Sequence, residues 1–321
     1  MRLPQYTLFR LLQLIPLVLV VIVINFVLIQ LAPGDVAITL AGEDADPQYM
    51  EHIRRQYGLD SPVPVQLLRY LGQVIRGDLG ASFRSREPVL HELMSRIPAT
   101  LLLVVTSLII AVFVGTWLGT LAARRPGSFF DIAANTVSIA LYSVPLFWLG
   151  LMLILVFGVK LGWLPISGMR KIAGPREGIG YYLDVLKHMV LPVLTLSVAY
   201  MGQYVRLARS SVESVMNEDY ITTVRAVGFP KRIIFMRYAL RNALLPVVTV
   251  FGLQIGLALT GAVLTETVFT WPGLGRLVYE GILARDTPLI MGSYILMSVC
   301  VAIASLLTDL CYALLDPRVK L

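Results

Sequence analysis

The sequence predicts an all-α polytopic membrane protein with six transmembrane helices and both termini cytoplasmic. Three observations carry this expectation. Of 321 residues, 57% are hydrophobic and 15% charged, with a mean hydropathy of +0.75, outside the usual soluble range. Six stretches lack acidic and basic residues over enough length to cross a hydrocarbon core about 30 Å thick: Leu11–Leu31, Thr100–Ala122, Ile132–Val159, Met189–Val205, Leu244–Leu264 and Pro288–Leu307. The third observation is the distribution of basic residues. Arg2, Arg10, Arg124, Arg125, Arg225, Lys231, Arg232, Arg237, Arg241, Arg318 and Lys320 share one side when the termini are cytoplasmic. The opposite side holds Arg54, Arg55, Arg69, Arg76, Arg84, Arg86 and Arg96 in a loop long enough to weaken the rule, and its shorter loops hold Arg170, Lys171, Arg176, Lys187, Arg276 and Arg285, so the bias is real but not clean. A net charge of +7 suits contact with an anionic lipid leaflet and gives no reason to invoke nucleic acid.

The first apolar stretch follows Arg2 and Arg10, as a secretory signal would. It is too long for a signal core, and no small-x-small cleavage pattern follows Leu31-Ala32-Pro33-Gly34-Asp35, so it reads as a retained span. Residues 32–99 form a large outer loop. Within it Pro47–Tyr57 reads as a short amphipathic helix ended by Gly58, and Pro64–Ile75 as a second, with Val65, Leu68, Leu71 and Ile75 on one face. Gly77-Asp78-Leu79-Gly80 breaks it. The loop suits a lid or receptor surface, and equally a cover over the helix ends.

Pro145 lies near the middle of the third span and is expected to kink it. Lys160–Lys187 is turn-rich, with a short helix before Lys187, and Pro192 sits near the start of the fourth span. Arg206 and Arg209 close that span and snorkel toward headgroups. Beyond the fifth span, Trp271-Pro272-Gly273-Leu274-Gly275 forms a turn, followed by the i,i+4 pair Val278 and Ile282, with Tyr279 at the interface. Asn25, Asn135, Gln203 and Gln254 are uncharged polar groups at membrane depth. With Pro145 they either line a pathway or join helices. No span has a central charged residue of the kind a proton relay needs, which disfavours a secondary transporter.

Asn217–Pro246 is basic and helix-prone. Asn217 is a candidate N-cap, Glu218 and Asp219 suit a first turn, and Tyr220, Val224 and Val227 form an apolar stripe ended by Gly228. Pro230 opens a second helix whose Ile233, Ile234, Phe235 and Tyr238 are apolar and whose Lys231, Arg232, Arg237 and Arg241 are basic. Two short helices around a forced turn make a knob able to pass motion from a soluble partner into the spans. A hairpin bound only to anionic lipid is the other reading.

Enzyme chemistry has no support here. His52, His91 and His188 accompany neither a Gly-x-Ser-Gly nucleophile nor a His-Glu-x-x-His zinc motif. Cys300 and Cys311, eleven apart in or near the last apolar helix, suit ordinary packing rather than a metal pair or disulfide. The chain also lacks a Gly-x-x-x-x-Gly-Lys-Ser/Thr phosphate loop.

The segment resembles the cytoplasmic coupling loop of permease subunits of ATP-driven importers, in the branch for dipeptides, oligopeptides or nickel. The resemblance runs nearly end to end through Leu31–Asp35, Tyr57–Asp60, Gly77–Gly80 with Ser82-Phe83, Arg96–Thr100, Val144-Pro145 with Phe147-Trp148, Thr265-Glu266 with Val268-Phe269, Trp271–Gly275 and Asp316–Arg318. The importer signature has Glu-Ala-Ala, Gly four positions later, and then Ile-x-Leu-Pro. Anchored on Gly228, its first part falls on Thr222, Thr223 and Val224 and its last on Tyr238, Leu240 and Arg241. The acid is absent and Pro246 is displaced, a departure similar to the peptide branch.

The resemblance implies a type I ABC importer permease fold, with residues 1–321 a single transmembrane domain and 209–243 its coupling segment. It implies ATPase contacts at Thr222, Thr223, Val224, Arg225, Gly228, Pro230, Arg232, Arg237 and Arg241. It further implies a second homologous permease subunit, two cytoplasmic ATPase subunits that bind ATP and Mg, and a periplasmic or extracellular substrate-binding protein. This chain would bind no metal or cofactor of its own and would sit in the bacterial inner or cytoplasmic membrane. Di- or oligopeptides are the expected cargo, with nickel chelates, glutathione, opines and glycosides as alternatives.

Overall fold

The computed structural model describes residues 3–31, 60–175 and 177–315, with 46, 48, 51 and 55 as isolated positions. Most of the expected helix at Pro47–Tyr57, the stretches Ala32–Asp35, Tyr57–Leu59 and Asp316–Arg318, and the side chains of Arg10 and Cys311 lie outside the described residues. Among the described residues the elements are helical, with one isolated antiparallel bridge between Ala81 and Pro88.

In chain order the helices are α1 (Leu3–Leu31), α2 (Val63–Ile75), α3 (Val89–Ala123), α4 (Phe129–Ser143) and α5 (Leu146–Leu153), which continues as a π-helical turn over Ile154–Lys160. Then come α6 (Gly178–Met216), α7 (Asp219–Ala226), α8 (Lys231–Ile233) with a π-helical turn over Ile234–Ala239, and α9 (Leu240–Ala243). The last are α10 (Leu245–Gly261), α11 (Val263–Val268), α12 (Leu274–Leu283) and α13 (Thr287–Leu315).

The predicted apolar stretches lie on helical structure except at breaks such as Val144-Pro145, and several of the helices outrun them. By length and composition, Val89–Ala123, Gly178–Met216, Lys231–Ile255 and Thr287–Leu306 suffice to cross a membrane; the bent pair α4 and α5 is a fifth if it is one span, and Leu12–Leu28 in α1 is shorter. A charge-free window stops at the first ionised side chain, whereas the backbone ladder does not. Thus α3 begins at Val89, with Val89 and Leu93 fully buried, and α6 begins at Gly178. The short helix expected before Lys187 is the first turns of α6, and Pro192 lies in its interior rather than near its start.

Pro145 does more than kink a span. Its ring disfavours the α region for the preceding residue, and Val144 is extended at φ −75°, ψ 128°. Helix α4 therefore ends at Ser143, and α5 restarts behind Pro145 at 98° to it.

Helices α3 and α6 form the centre. In lipid, apolar surface alone does not draw helices together, so close contact of small residues matters. A side chain at Gly115 of α3 would stand 2.8 Å from the Met201 carbonyl of α6, and one at Gly202 would stand 2.6 Å from the Ser138 carbonyl of α4. Ala111, Tyr204, Ala208 and Val247 bury the next layer, which brings α10 to the same centre. At one end of the bundle Ile22, Leu79, Leu93, Leu274, Leu277 and Leu289 unite α1, the turn after α2, α3, α12 and α13. Tyr70 of α2 stacks on Phe26 with ring centroids 6.3 Å apart, and burial pushes its phenol pKa up. At the other end Ala123, Val212 and Ala243 join α3, α6 and α9 beneath α7. Val278 is buried but Ile282 is exposed, so the expected pair does not share one buried face of α12.

Candidate functional site

At the α7 end, α6 runs through Arg206 and Arg209 and stops at Met216. Asn217 is its C-cap, at φ −97° and ψ 0°, and is not the N-cap of the next helix. Glu218 takes that position for α7 without a side-chain capping bond, while Asp219 and Arg225 place charges of the favourable sign at the two helix ends. An eight-residue helix has little stability alone. It is held by Ile221, fully buried against Ile234 and Ala239, with Val224, Val215 and Met216 alongside. Tyr220 and Val227 are exposed, so the expected stripe is replaced by one centred on Ile221. The cause is tertiary: α7 lies against the end of α6 and the π-helical turn. The Tyr220 hydroxyl donates to the Tyr238 carbonyl at 3.1 Å and accepts from Asn242 Nδ2 at 2.9 Å.

Gly228 ends this unit in the left-handed region, at φ 91°, where a side chain would be strained. Phe229 then meets Tyr238 with ring centroids 5.8 Å apart, and Pro230 stands at the N-cap of α8. The second helix is not a free half of a knob. It continues through the π-helical turn and α9 into α10, whose first turn accommodates Pro246 without losing a ladder bond. The unit is one short helix bound to the foot of a long one. Thr222, Thr223, Arg225, Gly228, Pro230, Arg232, Arg237 and Arg241 are exposed on it, and Val224 is half-buried.

The polar residues predicted at membrane depth lie on four different helices. Asn25, Asn135 and Gln203 are half-buried on α1, α4 and α6, and Pro145 is exposed. Gln254 hydrogen-bonds Tyr200 and so joins α10 to α6. Arg206 and Arg209 do not simply snorkel. The Arg206 guanidinium lies 5.2 Å from the Tyr142 ring centroid, and Arg209 forms an ion pair with the buried Asp131.

The opposite end is tied by carboxylates. Glu266 of α11 is fully buried; one oxygen accepts from Thr100 Oγ1 at 2.6 Å and the other from the Arg276 N–H at 3.0 Å, with the Gly275 N–H donating as well. Thr100 Oγ1 in turn accepts from the Leu274 N–H at 2.8 Å. The first amides of α12, which have no partner inside their own helix, are satisfied by this side-chain pair. Trp271 closes the knot by donating its Nε1–H to the Ala99 carbonyl at 2.9 Å. Three separate sequence motifs, Arg96–Thr100, Thr265-Glu266 and Trp271–Gly275, are one structural unit. Asp286 acts similarly: it accepts from the Leu289 N–H at 3.2 Å, from Ser82 Oγ at 2.6 Å and from the Arg84 N–H at 3.2 Å, fixing the Gly77–Phe83 stretch to α13. Asp184 accepts from the Lys171 N–H at 2.7 Å and holds the turn-rich connection on α6. Beside it an open cleft of about 580 Å³ is lined by Gly168, Met169, Arg170, Tyr181, Thr270 and Pro272.

Sequence reasoning did not single out Asp131, Asp184 or Asp286. Two of them carry a readable signal. Ser128-x-x-Asp131 is a capping pattern before an apolar run, and Asp286 precedes Thr287-Pro288 at a helix start.

Residues 3–104 match the family described as binding-protein-dependent transport system membrane component, N-terminal, and residues 115–321 match the binding-protein-dependent transport system inner membrane component. The chain is 40% identical to the di/tripeptide transport system permease protein of Pseudomonas aeruginosa (strain UCBPP-PA14), with 97% of each chain covered. It is 38% identical to the dipeptide transport system permease protein of Escherichia coli (strain K12), with 98% of each covered. With the glutathione transport system permease protein of Salmonella paratyphi A (strain ATCC 9150 / SARB42) the identity is 40%, over 98% of this chain and 99% of the relative. An inward-facing structure of the MetNI methionine ABC transporter shares the fold, with a TM-score of 0.53 at 17% identity over 70% of this chain and 96% of that one.

Replacing Glu266 with Ala leaves buried donors without an acceptor and is expected to cost about 1–3 kcal/mol per orphaned group. A side chain at Gly273 would overlap the Glu266 carboxylate, so Gly273→Ala should also destabilise. Because both changes break one network, thermal unfolding of the detergent-purified double variant should show less than the sum of the two losses. Additive losses would contradict the shared knot.

Proposed function

The chain belongs to the family of inner membrane components of binding-protein-dependent transport systems, and we propose that it forms half of the membrane pathway of an ATP-driven importer of di- or oligopeptides. The observation that carries the cargo reading is full-length similarity to di/tripeptide and dipeptide permeases. A second reading, glutathione, is supported by equal identity to a glutathione permease, and glutathione is itself a small peptide.

In this reading residues 1–321 are one transmembrane domain with six spans and cytoplasmic termini. Residues 32–99 and the α12 end face outward to a substrate-binding protein, and residues 209–243 face two cytoplasmic ATPases that hold ATP and Mg. A second homologous permease completes the pathway. The ATPases engage α7 and the foot of the long helix that follows it, through Thr222, Thr223, Val224, Arg225, Gly228, Pro230, Arg232, Arg237 and Arg241. Closure of the ATPases on ATP displaces α7, and the buried Ile221 contact passes the displacement to α6 and to the helix leading into α10. The pathway then changes from inward-facing to outward-facing, a shift between two packed arrangements.

Magnitudes favour a docked, shape-matched foot over loose charge contact. Moving such an equilibrium from 1:99 to 99:1 takes about 5.5 kcal/mol of differential binding. Exposed ion pairs contribute roughly 0–1 kcal/mol each. The exposed arginines therefore orient the contact, and the rigid α7 foot transmits it.

Reconstitution of the chain with its second permease, ATPases and binding protein tests the reading. Uptake of labelled dipeptide should require ATP on the ATPase side and survive collapse of the proton gradient. Uptake that follows the gradient instead would overturn it, and a binding protein that takes glutathione but no other peptide would move the cargo to the second reading.

Gly228→Trp puts a bulky side chain at φ 91° and should lower uptake at least tenfold at normal protein abundance; normal transport would count against the coupling role. Arg232→Glu reverses an exposed charge and should reduce co-purification of the ATPases. Unchanged recovery would remove Arg232 from the contact.

A further inference from the structure

About two turns before the end of α6 lies an ion cluster that the coupling reading does not use. Asp131, 3% exposed in the first turn of α4, faces Arg209 of α6. Arg209 binds it as a fork, with Nε on Oδ1 and Nη2 on Oδ2 at 2.9 Å, while Nη1 reaches Glu213 Oε2 at 2.9 Å. One further bond orients the carboxylate, the Gly127 N–H donating to Oδ2 at 2.9 Å, while the Asp131 N–H donates to Ser128 Oγ at 3.3 Å and caps the start of α4. Two-point recognition of this kind fixes direction as well as distance.

We propose that Asp131 and Arg209 are a positioning pair that carries the displacement of α7 into the broken helix α4–α5. The proposal rests on the coupling reading of α7. Its geometry comes from the spacing of contacts on both helices. Asp131 and Ser138 are seven residues apart on α4, and Arg209 and Gly202 are seven apart, in the reverse direction, on α6. Seven residues are about two turns, so each pair shares a helix face. Two antiparallel helices are thus clamped at two matched points: the ionic fork, and the Gly202 backbone against the Ser138 carbonyl.

Between Arg209 and α7 the end of α6 is tightly held. Val212 is fully buried against Ala123 and Ala243, and Val215 and Met216 pack on the Ile221 cluster. Displacement of α7 therefore moves the last two turns of α6 as a unit, and the fork obliges the start of α4 to follow. At its far end α4 meets the 98° break at Pro145, where a change in direction can be absorbed without bending a continuous helix.

The test uses the assembled transporter in proteoliposomes, with uptake and ATP hydrolysis measured on the same sample. Arg209→Ala should lower the amount taken up per ATP hydrolysed at least tenfold while the subunit ratio stays normal. Arg209→Lys, which keeps the charge but not the fork, should lower it about threefold. A merely structural role predicts that uptake and hydrolysis fall in proportion, and that result overturns the proposal. Should Arg209→Ala fail to assemble, the Lys variant decides: a wild-type ratio overturns the proposal and a reduced ratio supports it. Gly228→Trp, measured in parallel, separates the two readings. If it uncouples and the Arg209 variants do not, the positioning pair is wrong and the α7 reading stands; if neither uncouples, both fall.

Discussion

A buried carboxyl group met by hydroxyl and amide donors constrains much of this structure. Removing a charge from water costs several kcal/mol even after relaxation, so such a group persists only when its lone pairs are met. Glu266 meets them with the Thr100 hydroxyl and the first amides of α12. Those partners come from three places far apart in the chain. To satisfy one side chain, α3, α11 and α12 must be brought to a single point, and Gly273 must have no side chain for the carboxylate to fit.

The same device recurs where the chain must hold helices without help from the solvent. Hydrocarbon surroundings give no hydrophobic reward for joining apolar helix faces, so polar knots and small-residue contacts set the arrangement. Asp286 ties the turn after α2 to α13, Asp184 ties a turn-rich connection to α6, and Asp131 ties α4 to α6. Each carboxylate accepts from at least one backbone amide, so each fixes chain path rather than merely pairing charge. Among the described residues, the end around α12 is held by three of these knots and the α7 end by one, together with an exposed helix whose position depends on the burial of Ile221. That contrast suits an assembly in which force enters at one end and the other keeps its shape.

Legibility in the sequence followed physical range. The apolar stretches, the helix over Val63–Ile75 and the turn at Gly228 depend on residues close in the chain, and periodicity and turn chemistry reveal them. The break at Pro145 was visible as a proline but not as a 98° redirection, because surrounding helices decide where the second half lies. The stripe on α7 was misplaced by one position. Tyr220, Val227 and Ile221 all carry large apolar surface, and only the surface beneath the helix selects which of them is buried. The side chain of Asn217 suits a cap that opens α7, yet the preceding helix runs long enough to use it as an end.

By itself, the sequence determined that this is a helical membrane protein, where its apolar stretches fall, and which family it resembles, since composition, spacing and ordered motifs are properties of the chain alone. Tertiary structure decided what the motifs are for. Thr100, Glu266 and Trp271 lie more than a hundred residues apart at the extremes, and their shared role exists only once hydrogen-bond geometry brings them within 3 Å. The same holds for Asp131 and Arg209, whose pairing needs two antiparallel helices in one register. Such contacts leave no periodic trace, because the energy that selects them belongs to buried polar groups meeting across the fold.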